Sequence, residues 1–154
     1  MDYTTVKWLH ILSSTILFGT GIGTAYFMIT AVMTGDPKVI AVVGKNVIIA
    51  DWLFTASTVI IQPVTGFCLI YLANIPLTHR WVIWSTSLYL LAGACWLPVV
   101  WLQIKMHQLA ETANLNKNGL PRSSWSYFSL WIALGIPAFI ALIIVFYLMI
   151  AKPA

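Results

Sequence analysis

Between Lys7 and Asp36 no Asp, Glu, Lys or Arg interrupts a nearly unbroken apolar run. The same charge-free pattern recurs from Asp51 to Arg80, from Arg80 to Lys105 and from Arg122 to Lys152. Each gap is long enough to cross about 30 Å of hydrocarbon, which takes about 20 residues as a helix. Backbone groups in lipid must pair internally, and these runs are too long for barrel strands, so they predict helices. The pattern therefore predicts an all-α protein, a four-helix transmembrane bundle forming a single domain over residues 1–154, with spans near 6–33, 46–73, 80–105 and 125–151.

The polar breaks between the runs agree. Gly35-Asp36-Pro37 and Asn74-Ile75-Pro76 are turn-forming clusters, and Asn114 to Pro121 reads as the one real loop. Pro63, Pro98 and Pro137 fall inside spans two, three and four, where membrane helices tolerate kinks. Trp8, Trp52, Trp81, Trp84, Trp101 and Trp125 lie near predicted span ends, as an interfacial aromatic belt requires.

Composition sharpens this to a membrane protein. Charged residues make up 8% of the chain, hydrophobic residues 60%, and mean hydropathy is +0.90, against about 25% charged residues in a soluble domain. The partner this implies is the lipid bilayer. The eight Lys and Arg outnumber four Asp and Glu but are scattered, so no basic patch points to nucleic acid. The first run is too long for a signal-peptide core, so it is expected to remain as a helix. Four spans put both termini on one side with Lys7, Arg80 and Lys152. The other side holds Lys38, Lys45, Lys105, Lys117 and Arg122. Five cations against three favour a cytoplasmic location for that second side, and periplasmic termini in a bacterial inner membrane. Cys68 and Cys95 fall inside apolar runs at different depths, so no disulfide is expected.

Ionisable groups are costly in hydrocarbon and mark functional sites there. His10, in VKWLHILSS, lies one turn inside the terminal face, and His79 and Arg80 open the third span at that face. His107 falls beyond the far end of that span and reads as a solvated flank. At 3.6 residues per turn, Lys7, His10, Ser14, Leu17, Gly21, Thr24 and Met28 share one side of span one. That side is small and polar, so it should face the bundle interior. Span four offers Trp131, Leu134, Ala138, Ala141, Val145, Met149 and Lys152. Two such faces could leave a slot for a flat ligand. Histidine is the usual proximal ligand of haem iron and Met can be the sixth, so His10, His79 and Met149 are the candidate metal ligands. Lys7, Arg80 and Lys152 are candidate partners for propionates, and Ser14 and Gly21 would line the groove. Competing with this is a histidine that only bonds a neighbouring helix. Gln62, deep in span two, is a candidate for a quinone carbonyl, but reads more readily as satisfying the backbone freed by Pro63. Asp51 with Trp52 is expected to start span two at the interface. No P-loop, nucleophile elbow, Cys-x-x-Cys or His-Glu-x-x-His motif is present.

VKWLHILSSTILFGTGIGTAYFM at one end and FYLMIAKPA at the other, with Trp52, Gly66 and Trp96-Leu97-Pro98 between, resemble a family of bacterial integral-membrane proteins of unknown function. That family is distantly similar to the HemJ-type protoporphyrinogen oxidases, through Lys7 and His10 and through Lys152-Pro153. It is also similar to the CopD-type copper-resistance membrane proteins. The HemJ-type resemblance implies haem b on His10 and an anion partner in Lys152. The place where HemJ-type proteins carry a charged, aromatic segment ending in His reads FMITAVMTGD here, so porphyrin-substrate handling does not carry over. Four functions follow as expectations. The first is a haem b-binding protein, redox-active with membrane quinone. The others are a HemJ-like tetrapyrrole oxidase, a copper-handling protein, and a non-catalytic subunit or homo-oligomer partner. Whether the chain is an enzyme is left open by the residues.

Overall fold

The computed structural model describes residues 2–153, and among them every regular element is helical. Four helices among the described residues are long and apolar enough to cross a membrane: α1 (Tyr3–Thr34), α2 (Pro37–Leu72), α3 (Arg80–Leu115) and α4 (Arg122–Ala151). Asp2 caps α1 by accepting the Thr5 N–H, and that bond with the Thr5 hydroxyl holds its carboxyl below the ordinary range. Gly35 ends the helix in the left-handed region at φ 68°, its N–H on the Val32 carbonyl, a conformation that costs glycine little. Asp36 then caps α2 through Lys38 N–H (2.8 Å) and Pro37 occupies the first turn, where its missing donor is harmless.

The first connection is therefore only Gly35 and Asp36, and α2 begins nine residues before the expected start of span two (37 against 46). Ile40, Ala41, Gly44 and Val47 are buried on one face while Lys38 and Lys45 point out. Charges that seemed to punctuate the chain sit on the wet side of a continuing helix. Likewise α3 runs on past Lys105 to Leu115, with Met106, Ala110 and Ala113 buried. At 1.5 Å per residue these 36-residue helices reach about 54 Å. They therefore project beyond the bilayer at the end holding the 34–37 turn and the 116–121 loop, called here the loop end.

α1 packs along α2, the first half of α2 packs on α3, and α3 packs along α4. The second half of α2 comes much less close to α3, so the bundle is tight at the loop end and looser toward the chain termini. The dry core lies at the loop end, among Met28, Val32, Ile40, Leu102, Met106 and Trp131. There His107 is half-buried rather than a solvated flank. Its Nδ1–H donates to the Ala41 carbonyl at 3.0 Å, and a Cβ on Gly44 would stand 3.3 Å from the His107 Cβ. Gly44→Leu is expected to cost about 1–3 kcal/mol by overpacking this crossing, read as an earlier unfolding midpoint in detergent. A midpoint equal to wild type would show that the crossing can relax.

α2 is not a uniform helix. Asp51–Thr55 form a π turn, with the Ala56 N–H on the Asp51 carbonyl. Such single wide turns occur often at functional sites.

Candidate functional site

Val6, His10, Ser13 and Leu17 recur at helical spacing on α1 and are all buried. Gln62 and Thr65 are buried on α2, and α1 and α2 pack along this length. Gly66 makes room for the imidazole: a Cβ there would lie 3.3 Å from His10 Cε1. The Thr65 hydroxyl lies 2.7 Å from the Ile61 carbonyl and 2.8 Å from His10 Nδ1. It has one proton, and a carbonyl can only accept. Spending that proton on Ile61 leaves Thr65 to accept from His10 Nδ1–H. The ring lone pair is then on Nε2.

Gln62 turns the same way. Its Nε2 donates to the His10 carbonyl at 2.9 Å and to Ser13 Oγ at 2.8 Å, while the Ser13 hydroxyl donates to the His10 carbonyl at 3.1 Å. This corrects the expectation that Gln62 serves the backbone freed by Pro63. Pro63 has no N–H for the carbonyl four residues back. That carbonyl, on Val59, is taken by the Tyr89 hydroxyl of α3 at 2.8 Å.

The remaining sequence candidates lie outside this cluster. Lys7 and Arg80 are exposed, and His79 is exposed at the N-terminal boundary of α3. Lys152 is exposed at the end of α4 (φ 42°), its ammonium 5.8 Å from the centre of the Trp81 ring. Met149 is half-buried on α4. The Ser14 hydroxyl donates within its own helix, to the Ile11 carbonyl at 2.7 Å. Gly21 is exposed, and a Cβ added there meets nothing within 4 Å. No group of three or more His, Cys, Asp or Glu is placed to hold a metal among the described residues. Cys68 and Cys95 are free.

Asp51 does not begin a helix. It lies within α2, 4% exposed, and accepts from the Thr55 hydroxyl at 3.0 Å, with Gln103 of α3 as a further hydrogen-bonding neighbour. Trp52 beside it is exposed. Adjacent residues on a helix point about 100° apart, so Trp52 marks the outer surface while Asp51 faces inward.

A family model described as a predicted integral membrane protein (DUF2269) matches residues 4–153. The chain belongs to the DUF2269 family. No curated protein and no solved structure matches it, so the resemblance to HemJ-type and CopD-type proteins gains no support from these comparisons.

In this DUF2269 chain, sequence reasoning singled out His10 but did not bring Thr65 and Gly66 of α2 to it, or Gln103 to Asp51. One signal was available. Asp51, Thr55, Thr58, Gln62 and Thr65 recur at spacings of four, three, four and three, which places five polar residues on one side of a membrane helix. All five are buried.

Proposed function

We propose that this membrane protein binds haem b with His10 as an axial ligand and passes single electrons at the membrane, with quinone as the candidate partner. The feature that carries this reading is the imidazole itself: with the Thr65 proton on the Ile61 carbonyl, Thr65 accepts from Nδ1–H, and the ring lone pair is on Nε2. Metal-binding histidines are oriented in this way by a partner on the other ring nitrogen. Lys7, Arg80 and Lys152, at the same end of the bundle as His10, are the candidate propionate partners. His79 and Met149 are the candidates for a second axial bond, since the ring's own neighbours Thr65, Gln62 and Gly66 include no further metal donor. Haem would supply one-electron redox chemistry there, tuned by its axial ligand and burial. The charge bias favours a bacterial inner membrane with the termini outward.

The test is a visible spectrum of the purified chain, oxidised and dithionite-reduced. A Soret band is expected, with α and β bands that sharpen on reduction. His10→Ala should lose the pigment while keeping its helical circular dichroism. Thr65→Val should weaken haem retention by about 10–100-fold, the usual effect of removing such an outer partner. Colourless protein from cells supplied with haem, or full pigment in His10→Ala, overturns the reading.

A further inference from the structure

The buried polar side of α2 does not face an apolar partner. On α3, Ser85, Tyr89, Trp96 and Gln103 recur at spacings of four, seven and seven, so they share one side of that helix. Two contacts fix where that side points: the Tyr89 hydroxyl on the Val59 carbonyl, and Gln103 beside Asp51. Both land on α2. Ser85 Oγ, Trp96 Nε1 and Gln103 Oε1 are buried and have no protein hydrogen-bond partner. Buried polar atoms are nearly always paired, with ordered water where protein is lacking. Three such atoms along one side of α3, with Asp51, Thr55 and Thr58 of α2, make a seam that calls for water, while Gln62 and Thr65 turn to α1. It also lies where the two helices stand further apart. On α3 it runs from Gln103 to Ser85, 18 residues or about 27 Å.

The ends of the seam differ. Toward the loop end, Val47, Leu102 and Met106 close it, at 3%, 0% and 2% exposure. At the closed end sits Asp51. Among the described residues the ion pair present is His107 with Glu111, so Asp51 has no cation. The charged groups nearest it in sequence turn elsewhere: Lys105 lies over the Trp101 ring, and Lys45 is exposed. From α3, Gln103 and Tyr89 face the seam. On α1 the titratable groups are Lys7 and His10, Tyr3 and Tyr26, and of these only His10 is buried. An unpaired carboxylate buried this far in protein is costly, and a carboxylic acid less so.

We propose that the α2–α3 seam is a proton route joining Asp51 to the end of the bundle that holds the chain termini. In the transfer, the Asp51 O–H bond breaks and its proton passes to a neighbouring water. Each water or threonine hydroxyl along the seam accepts one proton and releases another, and the return passage reprotonates the carboxylate. Nothing is oxidised or reduced. The inference does not rest on haem at His10.

Infrared spectroscopy of the purified full chain in H2O and D2O tests it. Wild type should show a carboxylic-acid C=O band that is lost in Asp51→Asn and shifts promptly after transfer to D2O. Thr55→Val/Thr58→Val keeps side-chain volume but removes two relay hydroxyls, and Ala92→Leu fills the seam from α3. Either should slow the shift of the band in D2O without removing it, and the valine pair remains available if the leucine variant does not fold. No band lost in Asp51→Asn would mean that Asp51 is ionised, and the proposal fails. Exchange as fast as wild type in the valine pair would mean that the proton leaves by another way, and the route is overturned.

Discussion

Tyr89→Phe is expected to destabilise the bundle by about 1–3 kcal/mol, and Pro63→Ala is expected to remove most of that penalty. Pro63 leaves the Val59 carbonyl without its helical donor, and the Tyr89 hydroxyl supplies one across the helix interface at 2.8 Å. Phenylalanine keeps the ring and its packing. The loss is therefore that of one donor to a carbonyl within the bundle, and leaving such a group unsatisfied is costly. With alanine at 63 the backbone N–H returns and can bond Val59 within the helix. The hydroxyl is then one of two donors, and its removal should cost no more than about 0.6 kcal/mol, the average for interhelical hydrogen bonds in membranes. The measurement is a double-mutant cycle on unfolding in mixed micelles. A coupling energy near zero, with Tyr89→Phe costing the same in both backgrounds, would show that the carbonyl finds another partner. The contact also matters to the seam, because it ties the loosely approaching parts of α2 and α3 at mid-length.

The four spans were legible because charge is expensive in lipid and so is excluded from the crossing segments. The same rule does not mark the helix ends, which lie beyond the spans. Lys38, Lys45 and Lys105 are compatible with helix when they sit on an outward face or lay an ammonium on a ring such as Trp101. His10 was legible for a similar reason: an ionisable group inside an apolar run stands out. Its partners were not, because threonine, serine and glycine are ordinary in membrane helices and mostly bond or pack within them. Thr65 does this too, and it is the geometry of its second contact, 55 residues away in sequence, that gives it a role. Gln62 was assigned to Pro63 by proximity in sequence, while its actual partners lie 52 and 49 residues back. The π turn at Asp51–Thr55 has no sequence signature. Function is less legible than fold, because the residues that name a chemistry are few and their neighbours decide what they do.

Gly66 is where the two readings of His10, packed residue and ligand, can be pulled apart. Gly66→Ala should be close to neutral. Its Cβ would stand 3.3 Å from His10 Cε1, so the ring must yield by a few tenths of an ångström, and alanine returns up to about 1 kcal/mol of helix propensity. Gly66→Leu cannot be absorbed in this way. Its branched end would occupy the place of the imidazole and drive Nδ1 off Thr65. Overpacking costs about 1–3 kcal/mol, and the lost hydrogen bond adds about 0.5–1.5 kcal/mol. Two observables separate the readings. If His10 only packs, unfolding moves earlier in Gly66→Leu and no bound group changes. If His10 is a ligand, Gly66→Ala keeps the pigment and Gly66→Leu loses it, even at temperatures where both remain helical. Nitrogen NMR of the labelled imidazole supplies the control. Nδ1 should be the protonated nitrogen in wild type and in Gly66→Ala, because Thr65 can only accept there once its own proton is on Ile61. A wild-type ring protonated at Nε2 instead would remove the free lone pair on which the haem reading depends, whatever the leucine variant does to stability.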